Sequence, residues 1–189
     1  MRTELDDLLS QAVVRAENLG ASGADAVAID YTEASVRVRL GEVEELQRSH
    51  QRHLGIRVFV GKRQAISSSS DLRPEAIDQL VDDTVGMAKV IADDPASGLP
   101  EPSQTGAIFT DEPGLYDASV ESMDLEHGVS WAKAAEAEAM RDPRMTNSEG
   151  ATFGFTSAKR HYAASGGVAG SYRTSAFSGW VVPVASLDG

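Results

Sequence analysis

The stretch Leu54-Gly-Ile-Arg-Val-Phe-Val-Gly61 places Ile56, Val58 and Val60 at every second position, with Arg57 and Phe59 between them. A period of two sends successive side chains to opposite faces of a strand, so this pattern describes a strand with one face covered. Upstream the same rhythm sets Val36, Val38 and Leu40 against Ser35, Arg37 and Arg39. Both stretches read as antiparallel strands, and Gly41-Glu42 and Gly61-Lys62 read as their turns. The run Ser67-Ser-Ser-Ser-Asp-Leu72 then reads as a strand end leading into a helix cap, with hydroxyls satisfying exposed amides.

Outward from this block the period changes. Leu5, Leu8, Leu9, Ala12, Val13 and Ala16 recur at helical spacing, and Gly20 stands where a left-handed residue ends a helix. A second helix opens with Pro74 in its first turn, carries acidic Glu75 and Asp78 near its positive end, and sets Ile77, Leu80, Val81, Val85, Ala88 and Ile91 inward. Asp94-Pro95 stops it. A third helix aligns Leu125, Val129, Ala132, Ala135 and Ala139, with Gly128 allowing a close neighbour, and ends before Arg141-Asp-Pro143.

After that helix, Ala151 to Ala164 and Val168 to Ser186 are rich in β-formers and are separated by Ser165-Gly-Gly167. The expected fold is α+β, with two similar halves, each a helix plus antiparallel strands, and helices packed on sheet. Residues 1–92 form the expected first domain and 119–189 the second. Between them, 93–118 carries Pro95, Pro100, Pro102 and Pro113 with little periodicity, as a linker or crossover does.

Composition limits the chemistry. The 189 residues include 17 basic and 29 acidic side chains, a net charge of -12, which disfavours direct binding to nucleic acid. There is no cysteine, so these residues hold no disulfide, thiolate metal site or cysteine nucleophile. No stretch approaches the roughly 18 apolar residues of a membrane span, and a cytoplasmic address is the expectation.

No catalytic, cofactor-binding or metal-binding residue is assigned from the residue pattern. His50 and His53 fall on opposite faces of a strand, and Glu42, Glu44 and Glu45 lack the glycines and ligand spacing of a calcium loop. Ser67 to Ser70 has no nucleophile elbow around it. His127 reads as solvated, and His161, within Lys159-Arg-His-Tyr162, as the exposed side of a strand. Asn147-Ser-Glu-Gly150 reads as a tight turn, in which Glu149 has no visible acid or base partner. Ser165-Gly-Gly-Val-Ala-Gly170 joins two strands and does not match a nucleotide-binding loop.

Several blocks occur in a particular order: Gly41-Glu-Val-Glu44, Gly55-Ile-Arg-Val-Phe-Val60, Ser67 to Leu72 running into Pro74-Glu-Ala-Ile77, Asp93-Asp-Pro95, and Arg144-Met-Thr-Asn-Ser-Glu-Gly150. Together they span nearly the whole chain and resemble the amino-terminal region of the TldD/PmbA family, with the Asp-Pro and Thr-Asn-Ser-Glu-Gly blocks closer to its PmbA (TldE) branch. The resemblance implies that such a chain continues into a carboxy-terminal barrel-like domain.

It also implies a two-subunit zinc metalloprotease. Zinc is expected in a TldD-type partner, on a His-Glu-x-x-x-His helix and a later cysteine, and this chain has neither a His-Glu pair nor a cysteine. The implied role is a non-catalytic scaffold that assembles with that partner and offers a strand edge to unfolded peptide substrate. Two alternatives stand beside it. One is a regulator without enzymatic activity that binds another protein such as DNA gyrase, and the other is an autonomous hydrolase using Ser67 to Ser70.

Overall fold

The structure, a computed structural model, describes residues 3–101, 104 and 114–186. Within the expected linker, 102–103 and 105–113 lie outside the described residues. The chain runs α1 (Glu4–Asn18), β1 (Gly23–Arg39), β2 (Glu42–Val60), β3 (Arg63–Ser69), α2 (Pro74–Val90), α3 (Ala118–Glu121), α4 (Leu125–Ala139), β4 (Met145–Ala164) and β5 (Val168–Ala185). The strands form one five-stranded antiparallel sheet in the order β3-β2-β1-β4-β5, so the fold is α+β as the alternating and helical periods require.

Two compact units emerge, and each gathers three stretches of chain. The first holds residues 1–30, 51–113 and 159–172, and the second 31–50, 114–158 and 173–189. The reason is length. Strands of 17 to 20 residues extend for roughly 55–65 Å at about 3.3 Å per residue, whereas a 15-residue helix covers about 22 Å. Each long strand therefore supplies a stretch to both units.

In the first unit, α1 and α2 lie on the sheet. Thr3 and Asp6 form a capping box at the start of α1, and Gly20 beyond its end takes φ 95°. Leu9, Ala16, Ala26, Ile56, Val58 and Val81 are among its fully buried residues, the larger aliphatic side chains contributing roughly 2 kcal/mol each. Ala24, Ala26 and Ala28 on β1 are small enough to bring the backbone near the helices. Two features of α2 depart from the sequence expectation. Leu80 is half-buried, and Ile91 is 50% exposed because it is the C-cap, where the backbone turns extended and leaves the helix face.

In the second unit, α4 packs on β1 and β4. A Cβ on Gly128 would lie 3.0 Å from the Phe153 ring and 3.3 Å from Val36, so glycine sets that approach. Ala132, Val36, Val38 and Ala151 form one buried cluster, and Ala34, Val120, Phe153 and Phe155 another. The β1–β2 turn falls at Leu40-Gly41, one residue before the expected Gly41-Glu42, with φ 50° and 82°. Two positive φ values match the mirror-image turns that suit strand twist. Asn147 to Gly150, read from sequence as a tight turn, lies inside β4. Gly150 takes φ 105° there, and a Cβ would sit 2.7 Å from the Val38 carbonyl oxygen, so close backbone approach and not chain reversal explains the glycine.

Candidate functional site

His50 and His53 are exposed on β2, and the His53 ring approaches Gln51 at 3.4 Å. Glu42, Glu44 and Glu45 are exposed near the β1–β2 turn, where Glu44 pairs with Arg37 at 3.0 Å. Ser69 ends β3 and its hydroxyl accepts the Asp71 amide at 2.9 Å, as a strand end leading to a helix should. His127 is exposed on α4 with its ring edge-on to Phe153. Ser165 to Gly167 makes the short turn between β4 and β5, and the Ser165 hydroxyl accepts the Ala24 amide at 2.9 Å.

His161 overturns the sequence expectation. It is 2% exposed, with Nδ1 2.6 Å from Oδ1 of Asp6. Basic neighbours in sequence pointed it outward, but a carboxylate in the first turn of α1 gives its buried ring a partner. Burial alone would raise the Asp6 pKa, yet hydrogen bonds from His161 and Thr3 outweigh it and bring the group from 3.8 to about 2.

Other polar groups that sequence patterning passed over are paired within each unit. In the first, Arg57 grips Asp25 with two bonds of 2.9 and 2.6 Å, and the Tyr162 hydroxyl donates to the same carboxylate at 3.3 Å. The hydrogen bond to Asp25 raises the Arg57 pKa, while burial first and the Asp25 charge second raise that of Tyr162. In the second, Glu136 is 3% exposed and accepts the amides of Leu40 at 2.9 Å and Gly41 at 2.8 Å. Burial opposes its ionisation, but the hydrogen bonds from Ser148 and the two amides lower its pKa overall.

These pairs hold the fold, and none of them presents a reactive atom beside a free partner. Among the described residues no three His, Cys, Asp or Glu side chains gather as a metal ion requires. With the buried His161 nitrogen engaged by Asp6 and the other histidines dispersed, these residues do not fit a zinc centre.

The feature with binding capacity is the outer strand. The strand order leaves seven-residue β3 at one edge of the sheet and 18-residue β5 at the other. At Ser175 the edge is met by a loop: the Ser175 amide donates to the Leu115 carbonyl at 2.8 Å, and its hydroxyl accepts the Asp117 amide at 2.8 Å. Arg173 lies 3.6 Å over the Tyr116 ring beside it.

Backbone groups alternate sides along a strand, so the outward register of Ser175 continues at Phe177, Gly179, Val181 and Pro183. Pro183 falls where its missing N–H faces away from β4. Among the described residues no backbone partner meets the edge at Phe177, Gly179 or Val181. Large apolar side chains surround that stretch, with Phe177 64%, Trp180 54% and Val182 40% exposed. In a chain of 29 acidic residues, none occurs from Tyr162 to Ser186. Among the described residues this stretch of the edge carries no backbone partner, and a sheet edge with apolar flanks is a template for another extended chain.

Comparison with known proteins adds a lineage. Residues 24–88 match the family model described as PmbA/TldA metallopeptidase domain 1, and 118–189 match that of the PmbA/TldA metallopeptidase central domain. The chain is 31% identical over 176 residues to the metalloprotease PmbA homolog of Haemophilus influenzae, covering 93% of this chain and 38% of that protein. It is 31% identical over 150 residues to metalloprotease PmbA of Escherichia coli O157:H7, covering 77% and 33%. The chain thus spans about a third of the length of these relatives.

Among solved structures, a candidate modulator of DNA gyrase from Bacteroides thetaiotaomicron superposes with TM-score 0.89 at 22% identity, over 100% of this chain and 43% of that one. TldE from Thermococcus kodakarensis superposes with TM-score 0.80 at 16% identity, over 96% and 40%. The correspondence with these two is one of fold.

Proposed function

Since the chain belongs to the PmbA/TldD family of metallopeptidases, we propose that it is the scaffold region of a PmbA (TldE)-type subunit that processes unfolded peptides together with a zinc-bearing TldD-type partner. On this reading the partner supplies the metal and the hydrolytic chemistry. This chain supplies assembly surface and a strand edge, and the complex works in the cytoplasm.

The observation that carries the reading is the outward register of β5 from Phe177 to Val181. An unfolded substrate has its own amides and carbonyls unpaired, and an open edge satisfies them without regard to sequence.

The test mixes the protein with a TldD-type subunit and an unfolded polypeptide, and follows products by mass spectrometry with and without chelator. Cleavage only in the mixture, abolished by chelator, supports the reading. A stable complex with gyrase and no cleavage supports a regulator instead, the activity named for the Bacteroides neighbour. Cleavage by the isolated chain that Ser→Ala changes at 67–70 remove supports an autonomous hydrolase.

A further inference from the structure

Three aromatic rings meet on the α4 side of β5, in the second unit. Phe177 stacks on Phe153 with centroids 6.3 Å apart, and Trp131 of α4 lies 5.3 Å from Phe153. Phe153 is buried, whereas Phe177 is 64% and Trp131 37% exposed.

The indole reaches β5 because Gly179 has no side chain. A Cβ there would fall 2.1–2.7 Å from three atoms of the six-membered ring, so the ring fills the place of the missing side chain. Glycine inside a strand weakens it and marks a close approach. Here the approach sets a large apolar surface on the outermost strand, within one strand spacing of any chain that pairs with it.

Gly179 belongs to the outward register, with Phe177 and Val181 two residues to either side. In antiparallel pairing the residue directly opposite Gly179 carries its Cβ about 4.5–5.5 Å from the position that the Trp131 ring fills. Phe177 and Val181 stand diagonally at about 7–8 Å, within reach of a large side chain.

The surroundings of that position are apolar. No Asp, Glu, Lys or Arg occurs from Thr174 to Ser186, and the α4 positions one turn from Trp131, which are His127, Gly128, Ala134 and Ala135, add no carboxylate or ammonium. A lysine or glutamate opposite Gly179 would lose water and gain no partner, whereas an aromatic or long aliphatic side chain covers two partly exposed rings.

We propose that Trp131, Phe177 and Gly179 form an apolar subsite that selects a large aromatic or aliphatic residue at one position of an extended peptide paired to β5. The inference rests on the strand-edge reading above and names the side chain that the edge accepts. Large apolar side chains are buried in folded proteins and accessible in unfolded ones, so the subsite adds a preference for unfolded chain that backbone pairing alone does not give.

The probe is a short threonine- and valine-rich peptide with phenylalanine at its centre, compared with versions carrying alanine or lysine there. Binding is read from NMR shifts of the Phe177–Val181 amides and the Trp131 indole. The expected result is about tenfold tighter binding of the phenylalanine peptide than of the alanine one, with lysine no better than alanine. Trp131→Ala should bring phenylalanine down to the level of alanine. Because that change also uncovers Phe153, Phe177→Thr, made at an exposed position, is the second variant and should cut the advantage about threefold.

Equal binding of the three peptides, tighter binding of the lysine peptide, or a preference that the variants leave intact overturns the subsite and leaves the edge reading standing. If no peptide binds, N-acetylphenylalaninamide is titrated alone. A Trp131 shift that Phe177→Thr weakens then keeps the subsite and discards the edge, and no shift discards both.

Discussion

Asp6 in the first turn of α1 and His161 on β4, 155 residues apart, meet at 2.6 Å with the histidine ring almost fully buried. The same carboxylate accepts the Thr3 amide at 2.7 Å, so one charged group fixes both the start of the helix and its seat on the sheet. The fold lowers the Asp6 pKa from 3.8 to about 2, and therefore favours the ionised form. That contribution is complete above the unfolded pKa and is lost as pH falls through the folded one. It amounts to about 2 kcal/mol at neutral pH. Asp6→Asn is expected to lower unfolding free energy by about that much at pH 7 in urea titrations, and the gap from the parent should close toward pH 2. A gap that stays constant across this range would refute the assignment.

Leu40 occupies a left-handed conformation that costs a leucine roughly 1 kcal/mol, and it is 61% exposed, so no packing compensates. Leu40→Asn, which tolerates that conformation, should stabilise the protein by about 0.5–1 kcal/mol. Glu136→Ala should do the opposite, because two turn amides lose a charged acceptor and exchange it for water, at a cost of roughly 1–2 kcal/mol. Thermal melts of the two single variants decide both.

Gly179 stands under the Trp131 ring, where a Cβ would come within 2.1 Å of the indole. Gly179→Ala must displace the ring from its contact with Phe153, now at a centroid separation of 5.3 Å. Made in a Trp180→Phe background, which leaves Trp131 as the single tryptophan, it should shift emission to longer wavelength and destabilise by roughly 2 kcal/mol. Unchanged emission would show that the indole does not rest on the glycine.

Val181 shares the outward register of Pro183. Val181→Pro should therefore keep the pairing of β5 with β4, and so the far-UV spectrum and most of the stability, while deleting one amide from the outer edge. Peptide binding is expected to fall about tenfold or more. Loss of the fold would show that the register is the reverse.

Much of the fold was readable because α1 and α2 repeat aliphatic residues at helical spacing and β2 alternates without interruption. The start of β1 was not. Ala24, Ala26 and Ala28 alternate, but alanine is too weakly apolar to announce a strand, and Asp25 looks like a breaker until Arg57 is seen to hold it. His161 is illegible locally for a related reason, since its neighbours in sequence are basic while its partner Asp6 lies 155 residues away. The β1–β2 turn was displaced by one residue because leucine is a poor choice for a left-handed position, and a carboxylate on α4 holds it there. The place of β5 at the sheet edge is a property of strand order, which no local pattern encodes.

The two amides of that turn wait for an acceptor made much later. Glu136 follows Leu40 by 96 residues, so at about 5–20 residues per second the ribosome delivers the carboxylate roughly 5–20 s after the hairpin has been synthesised. During that interval water serves the two exposed amides, and they gain their carboxylate only when α4 arrives. During synthesis, then, the Glu136 contact is added to a hairpin that already exists, and if the same order holds in refolding, mutations at Leu40 should change the rate of unfolding far more than the rate of folding.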